Sequence, residues 1–563
     1  MVLFNGLIPW SYSNFDILII YQQYLMTTNN YNSNALDNNS LGDNFFVTSP
    51  IYYVNDSPHI GHAYTSIACD IIARAKRLSG CNVFFLTGTD EHGQKVEKSA
   101  INAVKDPQIF CNEVSLKFSE LAEKLNLTHN HFIRTTDKNH KDAVQCFWQI
   151  LEDKGFIYRD IYQGWYSIRD EAFYSEEELV NGLAPTGAEV CWHKEESYFF
   201  KLSAFEKPLL ALYEAVPDFI EPVSRRNEVM SFVKSGLKDL SISRTSFSWG
   251  VAVPNSNSEK QHIVYVWLDA LTNYISALNF HLPDSQLYQD FWCNTKNSPL
   301  HIVGKDILRF HAVYWPAFLM AADLPLPNRI FAHGWWTNQG QKISKSLGNT
   351  IDPHQEINWL ESFAIDHKIA NDYFRYFLFR EVPFGNDGDY QRDNLISRVN
   401  ADLVNNFGNL VQRALSMIAK NNNNNLVEYK NFNESRELLD KIYFNCQENL
   451  AKINDLQFDE AIANLLALSN QCNVFIDHFA PWKLAKEGNF ELMNIVLSTV
   501  AEAVRLLAIS WQPFIPYLAN QVLDILNIAK QDRNFIALSK DYALNNCHKI
   551  AEVQVIFPRL RKN

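Results

Sequence analysis

A strand–loop–helix–strand succession constrains this chain more than any other feature. The β-rich run Asn44-Phe45-Phe46-Val47-Thr48 stops at Ser49-Pro50. A helix-period stretch (Ile67, Ile71, Ile72, Ala75, Leu78) then closes at Gly80, before a second apolar run, Val83-Phe84-Phe85-Leu86. Two buried strands joined through a helix lie parallel in one sheet, because a tight hairpin joins only antiparallel strands. An α/β fold with a parallel sheet is therefore expected. The strand pattern resumes at His262–Trp267, Leu300–Asp306 and Arg329–Gly334. From about Ile157 to Arg244 the pattern changes: aromatics are dense (Tyr158, Tyr162, Trp165, Tyr166, Phe173, Tyr174, Trp192, Tyr198) and turn residues interrupt short strands. This reads as an insertion between two halves of the α/β domain. After about Tyr373 the chain reads as helices, with the run Asn421–Asn425 as a solvated loop between two of them.

A chain of 563 residues accommodates three or four domains at roughly 150 residues each. An apolar content of 47% supports a large core and argues against a mainly disordered chain. The net charge, 50 − 63 = −13, excludes wrapping of duplex DNA by general basicity but leaves room for a local basic face. Nine cysteines, an odd number with no C-x-x-C pair, fit reduced thiols in a cytosolic protein better than a disulfide framework. No apolar run approaches the ~18 residues of a membrane span. Residues 1–44 contain no Lys or Arg, so Ile17–Ile20 fits neither a secretory signal nor a transit peptide. The leader is expected to be a disordered Asn/Ser-rich segment, or the result of a start placed too early, with Met26 the plausible true start.

Chemistry enters with His59-Ile60-Gly61-His62 at a strand-to-helix junction. A helix N-terminus presents unpaired N–H groups and the positive end of the dipole, where phosphate binds. A glycine lets the backbone lie flat against a base. Two imidazoles can donate to a phosphate as its charge redistributes. The second motif, Lys342-Ile343-Ser344-Lys345-Ser346 before Leu347-Gly348-Asn349, sets two lysines in a glycine-flanked loop suited to a polyphosphate. Taken singly, each motif fits an unremarkable surface as well: two histidines near a cap, and a solvated Lys/Ser loop.

Together, in this order and flanking an α/β domain, they resemble the HIGH and KMSKS signatures of class I aminoacyl-tRNA synthetases, with Ile343 for the usual Met. The resemblance extends over about Phe46 to Ile525 and is to the methionyl-tRNA synthetases. It is carried by Thr48–Asn55, Gly88-Thr89-Asp90-Glu91-His92-Gly93, Tyr265–Ala270, Gly304-Lys305-Asp306-Ile307, His311, Trp315-Pro316 and His333-Gly334-Trp335. Ser167-Ile168-Arg169-Asp170-Glu171 is similar to the α-proteobacterial and mitochondrial branch, and the lack of a transit-like leader favours a bacterium. The branched-chain enzymes of the class carry a large editing insertion for which this chain has no room. The cysteine enzyme needs zinc-bound thiolates that it lacks. A non-catalytic tRNA-binding paralogue is disfavoured by intact His59, His62, Lys342 and Lys345.

The resemblance implies a Rossmann-like catalytic domain in halves 44–156 and 251–335, interrupted by a connective insertion at 157–250. It also implies a leader at 1–43, a KMSKS-type loop and stem-contact region at 336–390, an all-α anticodon-binding domain at 391–530 and a tail at 531–563. It implies ATP-dependent activation of methionine and transfer to the 3′ end of initiator and elongator tRNA(Met), with His59, His62, Lys342 and Lys345 catalytic. ATP would meet His59, Gly61, His62, Gly304, Asp306, Lys342 and Lys345, with Mg²⁺ accompanying it. Methionine would be held by Ile51, Tyr53, Asp90, Trp267, Ala270, Tyr274, Ile307, His311 and Trp315. Asp90 would take its ammonium group, together with a backbone carbonyl near Ile51. Leu271 replaces a proline found in some members. Where many members hold zinc through four cysteines, only Cys191 and His193 remain, alongside Ser167 and Asp170; two ligands cannot fill a tetrahedral site, so no structural zinc is expected. Asn409, Arg413 and Trp482 would read the anticodon, the first two from one helix face and the third by stacking. A cytoplasmic protein, without a membrane partner and acting as a monomer, completes the expectation.

Overall fold

The computed structural model describes residues 42–54, 57–169, 172–174, 176–256, 261–295, 298–343 and 348–561. The expected leader with Met26, together with Asp170 and Lys345, lies outside the described residues.

Seven parallel strands form the central sheet: β1 (Asn44–Thr48), β2 (Tyr52–Tyr53), β3 (Asn82–Asp90), β4 (His131–Arg134), β5 (Ile220–Glu221), β6 (Leu300–Gly304) and β7 (Arg329–His333). Their order is β2-β3-β1-β6-β7-β5, with β4 also on β3. The helix α1 (Ile60–Leu78) makes the first crossover, as its apolar spacing requires. The strand order reverses between β1 and β6, so the crevice beyond the carboxyl ends of those two strands is the ligand position of an open α/β sheet. The α/β reading with a parallel sheet stands.

Two parts of it are corrected. His262–Trp267 does not return to the sheet: Ile263–Val264 pairs antiparallel with Ser243–Arg244, and Val266–Leu271 is helical. A short run apolar on all sides cannot by itself distinguish a strand from a buried helical turn. Conversely β5, from within the expected insertion, joins the sheet edge against β7. The insertion also holds two helices, Glu206–Ala215 and Val223–Lys234, and an antiparallel ribbon, Ile157–Ser167 against Cys191–Phe200, in which Trp165 stands opposite Trp192 with ring centroids 5.4 Å apart. Beside it Tyr174, Ala184 and Ala188 form a small apolar cluster. Cys191 is exposed.

Further helices position the sites: α2 (Lys138–Asp153), α3 (Val266–Leu271), α4 (Trp315–Ala321), α5 (His367–Arg380), α6 (Asn409–Asn421), α7 (Asn433–Asn454), α8 (Phe458–Phe479), α9 (Pro481–Lys486), α10 (Phe490–Trp511) and α11 (Pro516–Ile525). α10 is long and apolar enough to cross a membrane by length and composition, against the expectation that no run was. Of its most apolar stretch 83% is buried inside the structure, and Glu502 pairs with Arg505 in its middle. Residues 531–561 fold back onto the bundle, burying Leu538, Leu544, Ile550, Phe557 and Leu560. One apolar core runs from α1 through the helical domain. At that junction Arg375 of α5 donates to Asp70 of α1 (2.7 Å) and to the carbonyls of Leu125, Pro513 and Phe514. Burial pushes the Asp70 carboxyl up, but Arg74 and Arg375 prevail and hold it at about 2.

Candidate active site

His59 is the N-cap of α1. Its Nδ1 accepts from the Gly61 N–H (3.1 Å), while its own N–H donates to His62 Nδ1 (3.0 Å), a reciprocal capping box made by two imidazoles. Since both Nδ1 atoms accept, each neutral ring carries its proton on Nε2. Burial lowers the pKa of both rings, His62 well below the ordinary value with His59 adding to the shift, while Asp306 opposes the shift at His59. The helix start therefore offers two neutral N–H donors, ring centroids 3.8 Å apart. A Cβ on Gly61 would stand 2.9 Å from the His59 ring, and one on Gly304 would stand 2.6 Å from Asp306 Oδ1, so a side chain at either position would displace a group of the site.

Across the crevice, Gly304 ends β6 and Asp306 follows in a short turn. Trp335 Nε1 donates to Asp306 Oδ1 (3.1 Å), and the Trp335 N–H donates to Asp387 Oδ1 (2.8 Å). Lys305 Nζ donates to both oxygens of Asp387 at 2.7 Å and lies 4.2 Å from the Trp335 ring centroid. The lysine-loop segment leaves this region as a hairpin: Thr337 pairs with Lys342 across a turn in which Gln339 and Gly340 both have positive φ (52° and 75°). Such a turn matches the twist of a two-residue hairpin. Beyond the loop, Ile351 O accepts the N–H of Ile60, tying the loop's exit to the start of α1 (2.9 Å).

The second half of the crevice is aromatic. Tyr53 pairs with Asp90 at the end of β3, and Asp90 is buried. Trp267 and Ala270 lie one turn apart on α3. Ile307, His311 and Trp315 follow β6 at intervals of four, so one face carries all three. Ile51, Tyr53, Trp267 and Ile307 are partly buried against the apolar cluster that contains Tyr274 and Trp315. The His311 Nδ1–H donates to Ile307 O (2.9 Å), which leaves Nε2 to accept from the Tyr274 hydroxyl (2.7 Å). Burial lowers His311 to about 4, so the ring is neutral. Trp267 lies flat on Phe310, centroids 3.6 Å apart.

In the helical domain, Asn409 and Arg413 share α6 one turn apart. The Arg413 guanidinium sits 4.9 Å from the Trp482 ring centroid and pairs with Asp477 (2.7 Å). Ala480, with φ of 43°, ends α8 and starts α9, setting Trp482 at the helix entrance. Gln412, Arg413, Ser416, Met417, Pro481 and Trp482 line a cavity of about 550 Å³. Asn409 is partly buried and is not among its lining residues.

Two family models match this chain: tRNA synthetases class I (M) over residues 45–191 and 185–415, and the anticodon binding domain of methionyl tRNA ligase over residues 429–563. The chain belongs to the methionyl class I tRNA synthetases. Among relatives, it is 53% identical over 527 residues to the methionine–tRNA ligase of Rickettsia felis, covering 92% of this chain and 98% of the relative. It is 44% identical over 524 residues to that of Rhizobium meliloti, covering 92% and 98%. Mycobacterium tuberculosis methionyl-tRNA synthetase in complex with methionyl-adenylate superposes with a TM-score of 0.86 at 43% identity, over 92% of this chain and all of that one. As a methionyl-tRNA synthetase the chain is an enzyme that activates methionine and charges tRNA. Lys305, Phe310, Trp335 and Asp387 of this synthetase join the site without a local sequence signal, although Lys305 and Trp335 stand beside Asp306 and His333-Gly334. Their roles depend on pairings across 29 to 82 residues that no local spacing reveals.

Proposed function

We propose that the crevice between β1 and β6 joins ATP and methionine into an adenylate through the chain's own positioning groups. The observation that carries this is the pair of Nε2–H donors on His59 and His62 at the N-terminus of α1. On this reading the two imidazoles, Gly61 and the helix end receive phosphate oxygens, and Gly304 and Asp306 receive the ribose, with Trp335 orienting the Asp306 carboxylate. Lys342 and Lys345 supply the positive charge that meets the departing pyrophosphate. Asp90 takes the methionine ammonium group, and Ile51, Tyr53, Trp267, Ala270, Tyr274, Ile307, His311 and Trp315 enclose the thioether, which packs well on aromatic faces. A methionine carboxylate oxygen attacks the α-phosphorus and the bond to pyrophosphate breaks. No protein nucleophile is needed, and catalysis is positioning with charge stabilisation. The tRNA terminal ribose hydroxyl then takes the methionyl group and releases AMP.

Mg²⁺ would arrive with the triphosphate; among the described residues no group of three or more His, Cys, Asp or Glu is arranged to hold a metal. Arg413 and Trp482, with Asn409 on the same helix, read the anticodon, and Trp482 offers a stacking plane. We further propose a monomeric cytoplasmic enzyme without structural zinc, serving initiator and elongator tRNA(Met), with the domain limits given by the sequence except that β5 belongs to the catalytic sheet and residues 531–561 to the helical domain. Amino-acid-dependent ATP–pyrophosphate exchange over a panel of amino acids tests the central reading: exchange with methionine and His59→Ala loss of it are expected. Exchange driven by another amino acid in preference would refute it.

A further inference from the structure

Asp269 carries no role assigned so far, yet both of its carboxylate oxygens are engaged close to the methionine side. It is fully buried. Its Oδ2 accepts from His92 Nδ1 at 2.6 Å and its Oδ1 from His140 Nε2 at 2.8 Å. His140 continues to Ser276 Oγ at 2.8 Å. The three participants come from three elements: Asp269 from α3, His140 from α2, and His92 from the loop just after β3. Each is separated from Asp269 by well over a hundred residues of chain.

The neighbours of these residues give the arrangement its meaning. Asp269 stands between Trp267 and Ala270 on α3. His92 stands two residues beyond Asp90. The same loop is pinned from its other side, since Trp249 Nε1 donates to Glu91 O (2.6 Å) and the Gly93 N–H donates to Trp249 O (3.0 Å). A buried carboxylate needs such donors to remain ionised. The two imidazole N–H groups prevail over burial and hold its pKa below the ordinary carboxylate range. Charge-assisted bonds of this kind are short and directional, so they fix geometry as well as adding energy.

We propose that Asp269 is a positioning residue for methionine: its carboxylate clamps the loop bearing Asp90 to the helix bearing Trp267, setting the distance between the ammonium site and the thioether wall. The inference rests on the assignment of Asp90 and Trp267 to methionine. Steady-state pyrophosphate exchange on the full chain tests it with Asp269→Asn, Asp269→Ala, Trp267→Ala and the double variant Asp269→Asn/Trp267→Ala. Asp269→Asn keeps the shape but removes the charge and one acceptor; Asp269→Ala cannot be accommodated by a change of imidazole tautomer. The expected result is a rise of about tenfold or more in methionine KM for both Asp269 variants, with ATP KM within about twofold, as for a group acting on one substrate's site. In the double variant the losses should fall short of multiplying, because both changes act on one wall. A purely structural carboxylate would instead lower Tm and shift both KM values together, and that outcome overturns the proposal. Should Trp267→Ala raise methionine KM while neither Asp269 variant does, the clamp alone fails. Should Trp267→Ala leave methionine KM unchanged, the pocket assignment fails and the clamp with it.

Discussion

Replacing Tyr274 by Phe isolates one buried hydrogen bond in the methionine pocket. The hydroxyl donates to His311 Nε2 at 2.7 Å, and both side chains are buried. The ring cannot turn to find another partner, because its Nδ1–H is held by Ile307 O. Switching the tautomer would abandon that bond. Tyr274→Phe therefore leaves a buried imidazole nitrogen without its donor, which costs about 1–3 kcal/mol. If that cost falls on the methionine-bound state, it corresponds to roughly 5- to 150-fold in affinity. Removing a bond to neutral Nε2 also weakens the neutral form, so the His311 pKa moves up from about 4 while the ring stays neutral at pH 7. The assay is pyrophosphate exchange with methionine varied at saturating ATP, alongside thermal unfolding. The expected outcome is a methionine KM raised about tenfold with ATP KM unchanged. An unchanged methionine KM with a lowered Tm would place His311 in the core and refute the reasoning.

Lys345→Ala should cut adenylate formation by roughly two to three decades, the usual loss for one transition-state charge contact, with methionine affinity unmoved; single-turnover adenylation with separate titrations measures it. Trp482→Ala should remove a stacking platform worth roughly 1–3 kcal/mol, lowering aminoacylation about tenfold or more while pyrophosphate exchange holds, and equal losses in both assays would make Trp482 a core residue. Asp372 is buried on α5, where burial outweighs the Leu518 N–H and Arg375 and raises its carboxyl to about 7. A raised acid favours the folded state below the unfolded pKa of about 4 and loses that contribution as pH rises through 7. Asp372→Asn should therefore be more stable than the parent at pH 8, by up to about 4 kcal/mol, with the gap closing toward pH 4; urea or thermal melts across that range decide it.

Periodicity and local chemistry determined a good deal of this protein. The β-rich run Asn44–Thr48, the spacing from Ile67 to Leu78 and the run at Val83 point to a parallel crossover before any long-range contact is known, because helical and strand periodicity are local properties. His59 and His62 could be read as functional for the same reason: a cap and a position three residues later always meet. Tertiary structure decided what depends on a partner distant in sequence. Val266–Leu271 is apolar enough for either a strand or a buried helical turn, and it is buried as a helix directly after Ile263–Val264 pairs with Ser243–Arg244, while two residues at Ile220 form a strand by pairing with β7. Residues 531–561 have no amphipathic period, and they are ordered by the apolar faces of helices formed elsewhere. The apolar length of α10 alone would suit a bilayer as well as a bundle, and the helices packed around it settled the matter. Asp269, His92 and His140 show the limit most plainly. Each is an ordinary residue in its own segment, and only the fold brings one buried carboxylate to two imidazoles, since the cost of an unpaired buried charge is paid or avoided in three dimensions.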